Sequence, residues 1–309
     1  TTKGVKLDHS ALQEKRAGYT YISNHRDIVL DVAMLDVLLI DHGFPNTAQI
    51  AIGDNLLVHP WIEQFVRMNK AFLVRRSVGA RQLLEASKHM SRYMHYVLGT
   101  REDNIWIAQR EGRAKDSSDR TQPAVLRMMT LGGEGDHYEN LRHMDLVPLT
   151  ISYEYDPCDY LKAKEFQQKR DDATFKKSKQ DDLDNMRVGI LGKKGRVHYR
   201  TAGSINQWLE EYKDLPAKEF FEAVAARIDS YIHAGYELYP NNYVAADLLE
   251  GGQRFASHYT AKDVVRFEKY LQSRLDLIDL PNKDEAYLRE RMLTMYANPL
   301  YNYLKAHEG

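Results

Sequence analysis

The chain has 309 residues, 43% of them hydrophobic and 28% charged, with 43 Lys and Arg against 44 Asp and Glu. That composition suits a globular body of one or two domains, and a net charge of −1 excludes a bulk electrostatic pull on nucleic acid. The single cysteine, Cys158, excludes an internal disulfide and fits a reducing compartment, and no apolar run reaches the roughly 18 residues of a membrane span.

The chain opens TTKGVKLDHS, with no Met and no signal-peptide pattern. The natural protein is therefore expected to extend further at its N-terminus, where a membrane anchor could lie. Five short runs rich in Ile, Val, Tyr and Thr read as strands: YTYIS (19–23), AQIAIGD (48–54), KAFLVRR (70–76), NIWIAQ (104–109) and LVPLTISYEY (146–155). Helical patterns lie between them. In ARQLLEASKHMSRYMHYVLG, Leu83, Leu84, Ser87, Met90, Met94, Val97 and Leu98 recur at three- and four-residue intervals and Gly99 is the stop. Strand and helix in alternation predict an α/β fold, with a mixed, largely parallel sheet flanked by helices. Sites in such sheets sit outside the carboxyl ends of the strands, and SNHRD, RRS and QREGR each follow a strand.

Residues 160–186 carry dense, nearly balanced charge, which predicts a solvated helical hairpin or a mobile excursion; a membrane-surface or partner contact is the other reading. MRVGILGKKGRVHYRTAG reads as a β-hairpin turning at Gly-Lys-Lys-Gly. Beyond residue 204 the pattern is helical, as in PAKEFFEAVAARIDSYIHAG and KDEAYLRERMLTMYANPLYNYLKAH. The expected organisation is an α/β domain over 1–204, including the charged helical excursion 160–186, with a helical C-terminal extension over 205–309 packed on it.

The stretch SNHRDIVLD concentrates chemistry at a strand-to-helix turn. HRD also opens the protein-kinase catalytic loop, but there an Asn stands five positions after the Asp. Here that position is Val32, only 24 residues precede His25, and no DFG occurs. A histidine at such a turn can take a proton from a hydroxyl if an acid fixes its tautomer, and both Asp27 and Asp31 are close enough in sequence. Asp27 also suits a helix N-cap. A metal site would need further ligands than one His and two carboxylates. Arg75 and Arg76 end one strand on alternate faces. Arg110, Glu111, Gly112, Arg113 and Lys115 follow another. Guanidinium groups match phosphate oxygens in two-pronged geometry, and their recurrence at successive strand ends points to one anionic ligand.

These pieces, in this order, resemble the four sequence blocks of the glycerolipid acyltransferase family, which contains glycerol-3-phosphate and lysophosphatidic acid acyltransferases. NHRDIVLD resembles the block N-H-x-S-x-x-D, AFLVRRS the phosphate-binding block, EGRAKDS the block E-G-x-R-S, and LVPLTISYEY the V-P strand. The resemblance covers residues 18 to 205. It implies the family's fold, an acyl thioester co-substrate (acyl-CoA or acyl carrier protein), and neither a metal nor another cofactor. It implies a glycerol-phosphate lipid acceptor at a peripheral membrane surface on the cytoplasmic face, and no nucleic-acid partner. By the same carry-over His25 is the base, Asp31 orients it with Asp27 as rival, Arg76, Arg113, Lys115 and Arg75 hold the acceptor phosphate, and Glu111 and Gly112 support them. Two departures stand out. Five residues separate His25 from Asp31 where the family has four, and EGR is one residue short of E-G-x-R. LLVHPWIEQFVRM, with Leu56, Leu57, Trp61, Ile62 and Phe65, is the candidate membrane-facing segment, although the same pattern describes a helix packed on the sheet.

Overall fold

The computed structural model describes residues 1–54, 57, 60–75, 79–101 and 103–308, by backbone alone at 61, 65, 80, 81, 100 and 101. Among the described residues seven strands form one sheet: β1 (Thr2–Asp8), β2 (Thr20–Ser23), β3 (Ala48–Gly53), β4 (Ala71–Val74), β5 (Asn104–Ala108), β6 (Leu146–Tyr153) and β7 (Gly195–Thr201). The order across it is β1-β7-β6-β2-β5-β3-β4. Strands β6, β2, β5, β3 and β4 run parallel, and β7 joins them antiparallel to β6 with β1 parallel to β7. The architecture is the mixed, largely parallel sheet that the sequence predicts, with helices on both faces and a helical C-terminal part.

Pleating explains how β2 is buried on both sides. Tyr21 joins a cluster with Val32, Leu35 and Leu39 of α1 (Leu30–Asp41), together with Trp106, Leu149 and Tyr199. Its neighbour Ile22 points the other way, to Met90 and Met94 of α3 (Ala80–Tyr96) and to Phe220, Val224 and Ile228 of α8 (Ala217–Ala234). Between these helices lie α2 (Pro60–Met68), α4 (Pro123–Thr130) and α5 (His137–His143). A third core joins α6 (Asp159–Asp171) and Tyr155 to α9 (Pro240–Glu250), α10 (Ala261–Leu275) and α11 (Glu285–Glu308), around Phe267, Leu271, Met292 and Tyr296.

Three sequence expectations change. Thr2–Asp8, given no element from sequence, is strand β1. Met186–Leu191 is not the first arm of a hairpin; it is the end of helix α7 (Lys179–Leu191), and only Gly195–Thr201 is strand. Ile and Val in a six-residue run fit either state, and tertiary packing decides between them. The charged excursion is a helical hairpin, but a packed one: Lys162, Ala163, Glu165 and Gln167 of α6 and Asn185 and Gly189 of α7 are buried. Charge density gives no sign of this, because the buried charges are matched by partners: Lys162 is paired with Asp156, and Glu165 with Lys115.

Candidate active site

Strand β2 hands over to the site through Asn24. Ser23 O still accepts from Gln109 N at 2.8 Å, but the backbone then turns away. The Asn24 amide replaces the lost ladder, accepting from Ile151 N at 2.8 Å and donating to Ile151 O at 2.9 Å. The turn that follows presents His25, whose side chain is 13% exposed.

Asp31, not Asp27, meets the imidazole, with Asp31 Oδ2 2.8 Å from His25 Nδ1. The same oxygen accepts from the backbone N–H of Arg26 at 2.6 Å and of Asp27 at 3.0 Å, and Asp31 Oδ1 accepts from the Tyr153 hydroxyl at 3.0 Å. A buried carboxylate costs several kcal/mol to desolvate, and hydrogen bonds of about 1.5–3 kcal/mol each to a charged acceptor offset that. Acceptance by Asp31 assigns the Nδ1 proton to His25 and leaves Nε2 as the basic nitrogen. Nε2 has no hydrogen-bond partner among the described residues. The His25 ring packs edge-on against Trp106, centroids 5.5 Å apart, and Trp106 Nε1 donates to Ser23 Oγ at 3.0 Å.

The extra residue between His25 and Asp31 is absorbed by Asp27. Its Oδ1 accepts from the N–H groups of Val29 and Leu30 at 2.9 and 2.8 Å, closing the first turn of α1 as a local side-chain cap. Asp27 Oδ2 is buried without a partner among the described residues. Burial, then the Asp31 charge, push the Asp27 pKa up, against the two backbone donors and Arg113. Arg26 turns inward to a buried ion pair with Asp119 at 2.5 Å. Burial works against the Arg26 charge, yet Asp119 and Tyr236 hold its pKa above the usual value. Asp119 adopts a left-handed φ of 42°. Its loop is held by α11, where Asn298 Nδ2 donates to Asp116 O at 2.6 Å and Asn302 Nδ2 to Ser118 O at 3.1 Å.

The cations expected to hold a phosphate are differently disposed. Arg76 lies outside the described residues. Arg75 is exposed at the end of edge strand β4, three strand spacings or about 14 Å from β2. Gly112 makes the turn after β5 with φ +65°, the left-handed region that favours glycine, while Glu111 is exposed and its N–H donates to Gln122 Oε1. Arg113 and Lys115 are both engaged by the α6–α7 hairpin. Arg113 Nη2 donates to Asn185 Oδ1 at 2.8 Å, and Lys115 Nζ pairs with Glu165 Oε1 at 2.7 Å. Arg113 Nη1 is buried with no hydrogen-bond partner among the described residues. Burial lowers the Lys115 pKa, with Glu165 opposing and Lys169 and Lys177 adding to it.

Several residues of the site carry no sequence signal. Tyr153, Asp119, Tyr236, Asn185 and Gly189 come from four other segments, and only the fold brings them to this turn. Cys158 is buried, and burial raises its pKa more than Arg113 lowers it. Of the candidate membrane-facing segment, Leu56 and the side chains of Trp61 and Phe65 lie outside the described residues, and Ile62 is buried. Beside β4 and α3 lies a cleft of about 850 Å³, lined by Phe72, Leu73, Arg75, Ala86, Met90 and Tyr93 among others.

Residues 6–129 match the family model described as Acyltransferase. Among solved structures, the chain is similar to the 1-acyl-sn-glycerophosphate (LPA) acyltransferase PlsC from Thermotoga maritima, at 12% identity and a TM-score of 0.34, over 73% of this chain and 70% of that one. No curated protein matches.

Proposed function

We propose, from the match of residues 6–129 to the Acyltransferase family model, that this chain transfers a fatty acyl group from an acyl thioester to a hydroxyl of glycerol 3-phosphate or lysophosphatidic acid. One observation carries the reading: His25, at the carboxyl end of the sheet's central strand, is held through Nδ1 by a buried carboxylate, and its Nε2 has no hydrogen-bond partner among the described residues. The acceptor O–H gives its proton to Nε2 as its oxygen attacks the thioester carbonyl. The C–S bond breaks, and the imidazolium returns the proton to the leaving thiolate. Asp31 stabilises the imidazolium throughout, and no covalent enzyme intermediate is needed. The thioester is that of acyl-CoA or acyl carrier protein, and the cleft beside β4 and α3 is the candidate place for its acyl chain.

The four-block order, and Arg113 Nη1 with no hydrogen-bond partner among the described residues, support a phosphorylated acceptor. The hairpin partner Asn185 would have to yield if phosphate is to reach this guanidinium. Among the described residues no helix is long and apolar enough to cross a membrane. A lipid product is the ground for proposing work at a bilayer surface.

The test is to incubate the purified protein with labelled long-chain acyl-CoA and a panel of acceptors with and without phosphate. Acceptor-dependent ester formation is expected, falling about a hundredfold or more in a folded His25→Ala variant. Thioester hydrolysis at the same rate without acceptor would replace the transferase reading with a hydrolase. Equal use of glycerol and glycerol 3-phosphate would end the phosphate reading.

A further inference from the structure

The His25–Asp31 pair is gripped from behind by two tyrosines of adjacent antiparallel strands. Tyr153 ends β6 and is paired in register with Val197 of β7, so its ring has little freedom to shift. Its hydroxyl donates to Asp31 Oδ1 at 3.0 Å. Tyr199 of β7 donates instead to the backbone carbonyl of Asp31, at 2.7 Å. The two bonds divide the work: Tyr199 holds the helix turn, whereas Tyr153 holds the carboxylate plane.

That plane matters because the two oxygens of Asp31 are not equivalent. Oδ2 accepts from His25 and from two backbone N–H groups, while Oδ1 has Tyr153 as its one donor among the described residues. Without Tyr153, Oδ1 would be a buried charged oxygen with no donor, which is costly. The carboxylate would rotate about its Cβ–Cγ bond to share the backbone donors, and the bond to His25 Nδ1 would loosen. Tyr153 is suited to a permanent donor's role: burial, then the Asp31 charge beside it, hold its hydroxyl pKa well above the usual value.

We infer that Tyr153 is a positioning residue that acts through Asp31 to keep His25 in the tautomer with Nδ1 protonated and Nε2 free. It does not touch the reacting atoms. The role rests on the proposed use of His25 as a base, but the tautomer itself can be measured without any substrate. A tautomer locked by a buried carboxylate differs from free imidazole, which favours the proton on the other nitrogen.

The charged and titratable groups facing the pair are Asp27 and Arg26 of the same turn, Asp119 after β5, Tyr199 of β7 and Lys194 just ahead of it. Tyr153→Phe removes one oxygen and leaves the ring; of these groups Tyr199, whose hydroxyl lies beside that of Tyr153, is the one it also touches. Tyr21 supplies a control: it belongs to the same core cluster, is fully buried, and its hydroxyl has no hydrogen-bond partner among the described residues.

The experiment is to label the histidines with ¹⁵N and read the His25 ring-nitrogen shifts at neutral pH, with His25→Gln to assign them. Wild type and Tyr21→Phe are expected to show a single tautomer with Nδ1 protonated, and Tyr153→Phe a mixture with a substantial Nε2-protonated fraction. Turnover in Tyr153→Phe should fall roughly tenfold with an unchanged acceptor KM. Unchanged ring-nitrogen shifts in Tyr153→Phe would overturn the inference, even if the variant melts at a lower temperature, since only a structural role would remain. Should the protein transfer no acyl group at all, the shifts still decide whether Tyr153 sets the tautomer.

Discussion

Asp27 and Asp31 are four residues apart, both about 1% exposed, and they do different work. Asp31 collects the imidazole, two backbone N–H groups and a tyrosine hydroxyl, so its negative charge is paired and directed. Asp27 spends one oxygen on the first turn of α1 and leaves the other without a partner among the described residues. Asp31→Asn is therefore expected to remove about two orders of magnitude of activity or more by disturbing the tautomer and the imidazolium. Asp27→Asn can keep its cap through Oδ1 and should lose about fivefold or less. Comparing kcat in the two variants checks this, and a larger loss in Asp27→Asn would reverse the assignment. The side chain of Arg26, next to His25, is not directed to a ligand. Instead it is sealed in an ion pair with Asp119, a residue 93 positions away whose backbone conformation depends on contacts from α11.

The α6–α7 hairpin is the element whose role differs most from its sequence appearance. It does not wave in solvent. α7 lies against the active-site turn so closely that a Cβ on Gly189 would stand 2.3 Å from Asp27 Oδ2 and 3.0 Å from its Cγ. Glycine inside a helix normally costs up to about 1 kcal/mol relative to alanine; here the contact outweighs propensity. Gly189→Ala is expected to destabilise the protein by about 1–3 kcal/mol, measured by denaturant unfolding. In an Asp27→Ser background, which can keep a capping oxygen and removes the obstruction, most of that loss should vanish, as a double-mutant cycle would show. A stabilising Gly189→Ala would mean that α7 does not sit on the turn. The same helix supplies Asn185 to Arg113, so the hairpin couples the shape of the histidine turn to the state of the candidate phosphate-binding arginine.

At the scale of the whole molecule, the pH dependence of stability tests the packing of α1 on the sheet. Asp36 of α1 accepts from Ala48 N at 2.8 Å, at the start of β3. Burial pushes its pKa up to about 6, against that backbone bond. A folded-state pKa raised above the unfolded value of about 3.9 gives a contribution that is full below about pH 4 and lost as the pH rises through about 6. Asp36→Asn, which can keep the acceptor oxygen, should therefore be more stable than wild type above pH 6 and indistinguishable from it near pH 4. Equal differences at both pH values would show that the carboxyl is not buried as described. What the sequence determined by itself was local. Strand composition and helix periodicity located six of the seven strands among the described residues, β7 as the second arm of the predicted hairpin, and the helices α3, α8 and α11, because β-branched and apolar patterning reports burial of a segment's own faces. The order of the short blocks pointed to acyl transfer, and the histidine turn was legible in SNHRDIVLD. What only the tertiary structure decided was partnership. Strand β1 is too polar to announce itself and exists because β7 offers it a free edge. Whether Asp27 or Asp31 meets His25 depended on how one extra residue was absorbed in a turn. Whether Arg113 and Lys115 face a ligand or a neighbouring helix depended on the docking of the hairpin. Hydrogen bonds and ion pairs act over a few ångströms in space, and sequence spacing alone does not say which distant residues will fill them.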